Sequence, residues 1–341
     1  MSNPETASTP AGLVDLASAR LGGVALLAND EFFAEKENLL KAGRGIFIPD
    51  RYTDRGKWMD GWESRRRRTP GHDWCVVQLG LRGIIREVDI DTNHFLGNHP
   101  PFASLDALCL TTEFPHEVEA VEHLAWTPIL AQSPLDPGSH NLCPITNDQT
   151  WTHVRLNIFP DGGVARLRVY GLVVPDWSKL QPGELVDLAA IKNGGVPLAC
   201  SDMFFSSMNN LVMPGCSENM GDGWETKRRR GPGHDWIVLK LGLPGAIRKI
   251  EVDTNHFKGN YPDTCSIETC TAPGASSEEL TGGEIRWREI LPMTKLQAHT
   301  QHFFERELAP SEYCTHLRLN IFPDGGVSRL RVWAAPVLPN E

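Results

Sequence analysis

The sequence predicts an all-β protein built as two tandem, homologous jelly-roll β-sandwich domains, and three observations predict it. A long polar segment is written twice, as DGWESRRRRTPGHDW at residues 60–74 and DGWETKRRRGPGHDW at 222–236. Stretches such as VVQLGL, IIREVDID, HVRLNIF and VARLRVYG alternate apolar and polar residues with period two, as half-buried antiparallel strands do. Helical periodicity is confined to short pieces such as DEFFAEKENLL at 30–40. Many short strands in a domain of this size fit two packed antiparallel sheets with Greek-key or jelly-roll connections.

The repeat can be followed along nearly the whole chain. DLASARLGGVALLANDEFF (15–33) returns as DLAAIKNGGVPLACSDMFF (187–205), an offset of 172. From Asp60 to Pro100 the offset is 162, and 27 of 41 positions are identical, so chance similarity is excluded. THVRLNIFPDGGVARLRVYG (152–171) returns as THLRLNIFPDGGVSRLRVWA (315–334). The step from 172 to 162 places about ten extra residues in the first copy, around IPDRYTDRGKWM. A period of this length is a whole domain, not a solenoid or propeller unit. The expected organisation is a flexible tail at 1–12, domains at 13–174 and 185–338, and a linker, PDWSKLQPGE, at 175–184. In IIREVDID, Ile85, Val88 and Ile90 point largely one way, and Glu87, Asp89 and Asp91 the other. PDGG between two strands of each copy predicts a glycine-containing, bulged hairpin. Neither the dinucleotide glycine fingerprint nor a P-loop occurs at a strand-to-helix turn.

The bulk properties narrow the function. A net charge of −10 argues against a nucleic-acid or membrane partner. No apolar run approaches a membrane span, and MSNPETASTPAG lacks the regions of a signal peptide, so a cytoplasmic location is expected. The eight cysteines do not repeat between the copies; Cys75, for example, faces Ile237. A disulfide framework or metal site inherited through duplication keeps its ligands in both halves, so free, buried thiols are expected.

The chemistry lies in polar residues held in both copies. The first block supplies Glu63, Arg66, Arg67, Arg68, His72 and Asp73, matched by Glu225, Arg228, Arg229, Arg230, His234 and Asp235. The second, DTNHFxGN, gives Asn93 and His94, then Asn255 and His256. The third, RLNIFPDGG, places Arg155 and Asn157 on the polar face of a strand, matched by Arg318 and Asn320. Asp106 is acidic again as Glu268. Each block has a plainer reading. An arginine run is also what a solvated face looks like, His-Asp also closes a turn, and a loop histidine also serves structure alone. Yet the planar forks of arginines in a rigid Trp-, Gly- and Pro-bounded loop suit a small anion. If the DTN strand persists, Asp and Asn fall on one face and His on the other, which disfavours a metal site on that strand; one assembled from several loops stays open.

At this point the residues carry a resemblance. DLASxRLGG, NDEFFAxxENL, RGKWMDGWExRRRR, PGHDW, DTNHFxGN and RLNIFPDGGVxRLRVxG together resemble the allantoicase family over nearly the whole chain. The second copy departs from it where RGKWM has no counterpart, which raises the question whether both halves are equally active. The resemblance implies hydrolysis of allantoate to ureidoglycolate and urea in purine degradation, two galactose-binding-like jelly rolls, and a homo-oligomer. It implies no firm cofactor; a divalent metal stays open.

Allantoate holds one carboxylate on a carbon bearing two ureido groups. Arg66, Arg68 or Arg155 suit the carboxylate, and Asn93 and Asn157 the ureido groups. In the second copy these are Arg228, Arg230, Arg318, Asn255 and Asn320. Breaking the C–N bond needs a proton for the departing urea and one taken from water. The expected acid–base groups are His94 and the His72–Asp73 pair, with Glu63 as alternative base, and His256, His234–Asp235 and Glu225 in the second copy. The competing reading is a tandem β-sandwich protein that binds a small anion or carbohydrate without catalysis.

Overall fold

The structure, a computed structural model, describes residue 10 and residues 12–181 and 183–338. Most of the expected tail therefore lies outside the described residues. The chain divides into two compact units, Met1–Val174 and Pro175–Glu341. The first contains β1 (Val14–Asp15), β2 (Val24–Ala28), β3 (Tyr52–Thr53), β4 (Gly56–Lys57), β5 (Trp62–Glu63), β6 (Asp73–Asp91) and β7 (Phe102–Leu108). A single helical turn and a half, α1 (Val118–Glu122), precedes β8 (Thr127–Pro134), β9 (Leu142–Pro144), β10 (Thr150–Phe159), β11 (Gly163–Val164) and β12 (Arg166–Val173). The second unit repeats the plan with β13 (Val186–Asp187), β14 (Val196–Cys200), β15 (Trp224–Glu225), β16 (Asp235–Asp253), β17 (Thr264–Cys270) and α2 (Ser277–Thr281). It ends with β18 (Arg288–Lys295), β19 (Gln301–Phe304), β20 (Cys314–Phe322), β21 (Gly326–Val327) and β22 (Arg329–Pro336). The helical pattern at 30–40 yields only a 3-10 turn, Lys36–Leu40.

The two strands expected at VVQLGL and IIREVDID are one strand, β6, which serves two sheets. Its first part, to Gln78, pairs with β2 and β10; from Gly83 onward it pairs with β12, and beyond Arg86 also with β9. The ladder with β10 skips from Gln78 to Gly83, which marks where β6 passes between sheets, as strands do at sandwich corners. Gly80 lies at this corner because a Cβ there would stand 2.5 Å from the Leu21 carbonyl oxygen. One layer is thus β2–β6–β10–β7–β8 and the other β9–β6–β12–β1. Leu105, Leu156, Ile158, Ile85, Ile90 and Leu167, all fully buried, fill the space between them.

This topology corrects the expected PDGG hairpin. β10 and β12 do not pair with each other: they belong to different layers and both pair with β6. The PDGG segment crosses between layers, and its β11 pairs with β5, setting Gly163 opposite Glu63. Gly163 is demanded by the Phe95 ring, which a Cβ would meet at 2.0 Å. Gly163→Ala is therefore expected to destabilise the first repeat by about 1–3 kcal/mol through overpacking, read as a lowered unfolding midpoint in urea. The same substitution at the more exposed Gly97, where a Cβ meets nothing within 4 Å, is the control.

The alternation along β10 decides which side chains meet. Val154, Leu156 and Ile158 enter the core, so Arg155 and Asn157 face outward on the β10 layer. Beside them lie Ser104 and Asp106 of β7 and Trp74 and Val76 of β6. Trp74, Val76, Leu108, Phe114 and Val121 form a satellite apolar cluster on that face. The acidic face of the other layer is not solvated as its sequence suggests: Asp89 and Asp91 are buried, bonded to His140 Nδ1 (2.6 Å) and Arg44 Nε (3.3 Å).

Candidate functional site

Those of the expected site residues that cluster form two sets in each repeat, not one. The first set lines a cavity at the loops around Glu63. β5 presents Glu63 beside Gly163, and Asn98 Nδ2 donates to Glu63 Oε1 at 2.7 Å. Phe33, Phe47, Lys57, Met59 and His94 complete a cavity of about 360 Å³. Burial pushes the Glu63 carboxyl above its ordinary range, and the Asn98 bond offsets this only in part. In the second repeat Asn260 Nδ2 donates to Glu225 Oε1 at 2.5 Å, and Glu225 shares a cavity of about 570 Å³ with Phe205, Arg228, Arg229, Tyr261 and Asp324.

The second set lies on the outward face of β10. Asp106 Oδ2 accepts from Arg155 Nη2 (2.8 Å) and from Asn157 Nδ2 (2.9 Å), and the Arg155 guanidinium rests 4.9 Å over the Trp126 ring. The His72 ring lies tilted against Phe159, with centroids 4.6 Å apart. Burial pushes the His72 imidazole below its usual range; the nearby Asn157 amide and Asp106 charge oppose this, and the charges of Arg155 and Arg67 push it further down. The second repeat rebuilds this cluster: Arg318 Nη2 lies 2.6 Å from Glu268 Oε2, the Arg318 guanidinium lies 4.8 Å over Trp287, and His234 Nε2 lies 3.3 Å from Asn320 Oδ1.

Several expectations are corrected by this geometry. His72 and Asp73 are not an acid–base pair, because Asp73 Oδ1 is held by Arg67 Nη1 at 2.5 Å and by Asn29. Asp235 is likewise held by Arg229 and by Ser201 Oγ. Adjacent residues at a strand start point apart, and Asp73 turns to the arginine loop that folds back over it. That loop is tied to the PDGG crossing by the Arg67 N–H, which donates to Asp161 Oδ2 at 2.9 Å. β6 ends at Asp91, so the DTN residues are not a strand face. Asn93 and Asn255 hold a turn: their N–H groups donate to Asp91 and Asp253, and Asn93 Nδ2 donates to the Gly45 carbonyl. His94 and His256 occupy its left-handed position, with φ of 68° and 70°. His94 faces its cavity, whereas His256 Nε2 donates to the Ser217 carbonyl at 2.9 Å. Arg66, Arg68 and Arg230 are exposed and line neither cavity; Arg228 lines the second.

Among the described residues no group of three or more His, Cys, Asp and Glu side chains converges as a metal-ligand set. All eight cysteines are free thiols. No helix among the described residues is long and apolar enough to cross a membrane.

A family model described as the allantoicase repeat matches residues 14–174 and again 186–337. The chain belongs to the allantoicase family. It is 51% identical over 326 residues to a probable allantoicase of Pseudomonas aeruginosa strain UCBPP-PA14, covering 96% of this chain and 97% of that one. A probable allantoicase of Burkholderia mallei is 48% identical over 333 residues, 98% and 97% of the two chains. The crystal structure of the Saccharomyces cerevisiae allantoicase superposes with a TM-score of 0.79 at 37% identity, covering 95% of this chain and 94% of that one. The two allantoicase repeats therefore coincide with the two sandwiches. Three residues beside their cavities escaped sequence reasoning: Asn98, Asn260 and Lys57. Both asparagines are identical between the copies, inside DTNHFxGN, and were legible as a duplicated amide; Lys57 lies in the unduplicated insert and left no such signal.

Proposed function

We propose that the chain hydrolyses allantoate to ureidoglycolate and urea in the Glu63 and Glu225 cavities, in the cytoplasm, where free thiols are stable. One observation carries the placement: in both repeats a glutamate held by an asparagine amide shares a cavity with a cation that has no carboxylate partner among the described residues. That cation is Lys57 in the first cavity and Arg228 in the second. The cation holds the substrate carboxylate, and the asparagine carbonyl oxygen accepts from a ureido N–H. Protonated Glu63 delivers its proton to the nitrogen of the departing ureido group as the C–N bond breaks. Once urea has left, the carboxylate takes a proton from the water whose oxygen bonds to the same carbon. One carboxyl thus serves as acid and then as base, and returns to its starting state. The elevated Glu63 carboxyl suits the first of these steps, as buried catalytic acids do.

The test is urea release from allantoate by the purified chain, with and without a chelator; a ligand-binding protein without catalysis releases none. The pH dependence is a second check. Because burial raises the Glu63 carboxyl, the acid form persists to higher pH than the ordinary value of about 4.3. The rate of the urea-departure step is expected to fall as pH rises through that raised value, and Glu63→Gln is expected to remove this limb from the first repeat's profile. A profile flat through the carboxyl range contradicts the role.

A further inference from the structure

The two repeats differ at the insert, and the difference reaches the cavity wall. In the first repeat, β3 and β4 form a small hairpin, with Tyr52 opposite Lys57 and Thr53 opposite Gly56. It is fastened at its base, where the Trp58 N–H donates to the Arg51 carbonyl and the Arg51 guanidinium lies 4.2 Å over the Trp58 ring. It is fastened to the rest of the repeat by Arg55, whose Nη1 donates to the Phe32 carbonyl at 3.0 Å and whose guanidinium lies over the Phe32 ring. This lays Gly56 against Phe33 and brings Lys57 to the cavity, its ammonium 4.4 Å from the Phe47 centroid. Among the described residues the second repeat has no such hairpin. Phe204 and Phe205, the counterparts of Phe32 and Phe33, stand 67% and 58% exposed, and the cavity is larger. Two arginines line it: Arg229, which is paired with Asp235, and Arg228, which corresponds to Arg66, and Arg66 does not line the first.

We propose that the cavities are chemically different sites: Lys57, carried in by the insert hairpin, grips the substrate carboxylate in the first repeat, and Arg228 grips it in the second. This rests on the acid–base reading of Glu63 and Glu225. Lysine is a compact point charge and arginine a planar two-pronged donor, so the same carboxylate is held in different geometries. Lys57 is then a specificity-determining residue of one repeat only.

The experiment uses the full chain, with Glu225→Gln to leave the first repeat as the working site and Glu63→Gln to leave the second. In the Glu225→Gln chain, Lys57→Met is expected to raise KM for allantoate by about ten- to a hundredfold, the loss of one charge-assisted contact, with a much smaller change in kcat. Lys57→Arg recovers most of that loss. In the Glu63→Gln chain, Arg228→Met is expected to give the same split. Lys57 is exposed on the hairpin, so matched melting curves confirm that each variant is folded. A KM within twofold of the Glu225→Gln parent after Lys57→Met overturns the assignment. Undiminished turnover in a chain carrying both glutamine substitutions instead overturns the underlying acid–base reading, so the two failures are distinct.

Discussion

Replacing Glu63 and Glu225 together by Gln is expected to lower kcat for urea release by about 10²–10⁴-fold, the usual contribution of a general acid–base group, while KM moves only a few-fold. Glutamine matches glutamate in shape, and its Oε1 still accepts from Asn98 or Asn260, so the cavity walls stay in place. Only proton exchange is lost. The split between kcat and KM separates this outcome from collapse of the cavity, which raises KM as well. A fall in kcat below tenfold removes the glutamates from the chemistry and returns attention to His72 and His234 on the β10 and β20 faces. The His234 ring lies 3.3 Å from Asn320 Oδ1 and the His72 ring packs against Phe159, so His72→Gln with His234→Gln is the natural second measurement.

Asp60→Ala is expected to destabilise the first repeat by about 3–5 kcal/mol. Asp60 opens the duplicated DGWE segment, and its Oδ2 accepts from Arg166 Nη2 at 2.6 Å, with side chains only 6% and 3% exposed. Removing the carboxylate leaves a buried guanidinium with carbonyl partners alone, from Gly43, Asp60 and Ala165. Asp222 and Arg329 repeat the pair at 2.8 Å. Burial raises the Asp60 carboxyl, but the Arg166 bond, the Ile46 N–H and the charges of Arg166 and Lys41 bring it below its ordinary value. A depressed carboxyl contributes stability that is present above its unfolded pKa of about 3.9 and is lost as pH falls through the folded value. The parent's first-repeat transition, followed by urea unfolding, is therefore expected to weaken more steeply than that of Asp60→Ala below about pH 4. Equal slopes mean that the pair is not the linkage group.

The catalytic reading and this stability reading come from one segment, which shows how legible the sequence was. Residues 60–74 stood out because they are duplicated, and duplication retains both kinds of residue without sorting them. Glu63 belongs to the cavity, Asp60 to a buried ion pair, and Asp73 to the arginine loop. Periodicity placed Arg155 and Asn157 on the polar face of a strand, and they are there. It did not show that Asp106 on the neighbouring strand would take up the guanidinium, because strand pairing is non-local. The PDGG turn failed as a hairpin for the same reason. Two consecutive strands around a glycine turn look alike whether they pair with each other or with a third strand between them.

The sequence by itself determined the tandem β-sandwich plan and the set of duplicated polar residues, since these follow from local alternation and from comparing one half of the chain with the other, and its long motifs carried the family by resemblance. Only the tertiary structure decided which of those residues share a cavity. It separated Glu63 from His72, turned Asn93 inward to hold a backbone turn, and carried the unduplicated Lys57 to the glutamate. The reason is physical: burial, desolvation and ion pairing depend on side chains brought together from distant points of the chain, and spacing along it records none of those distances.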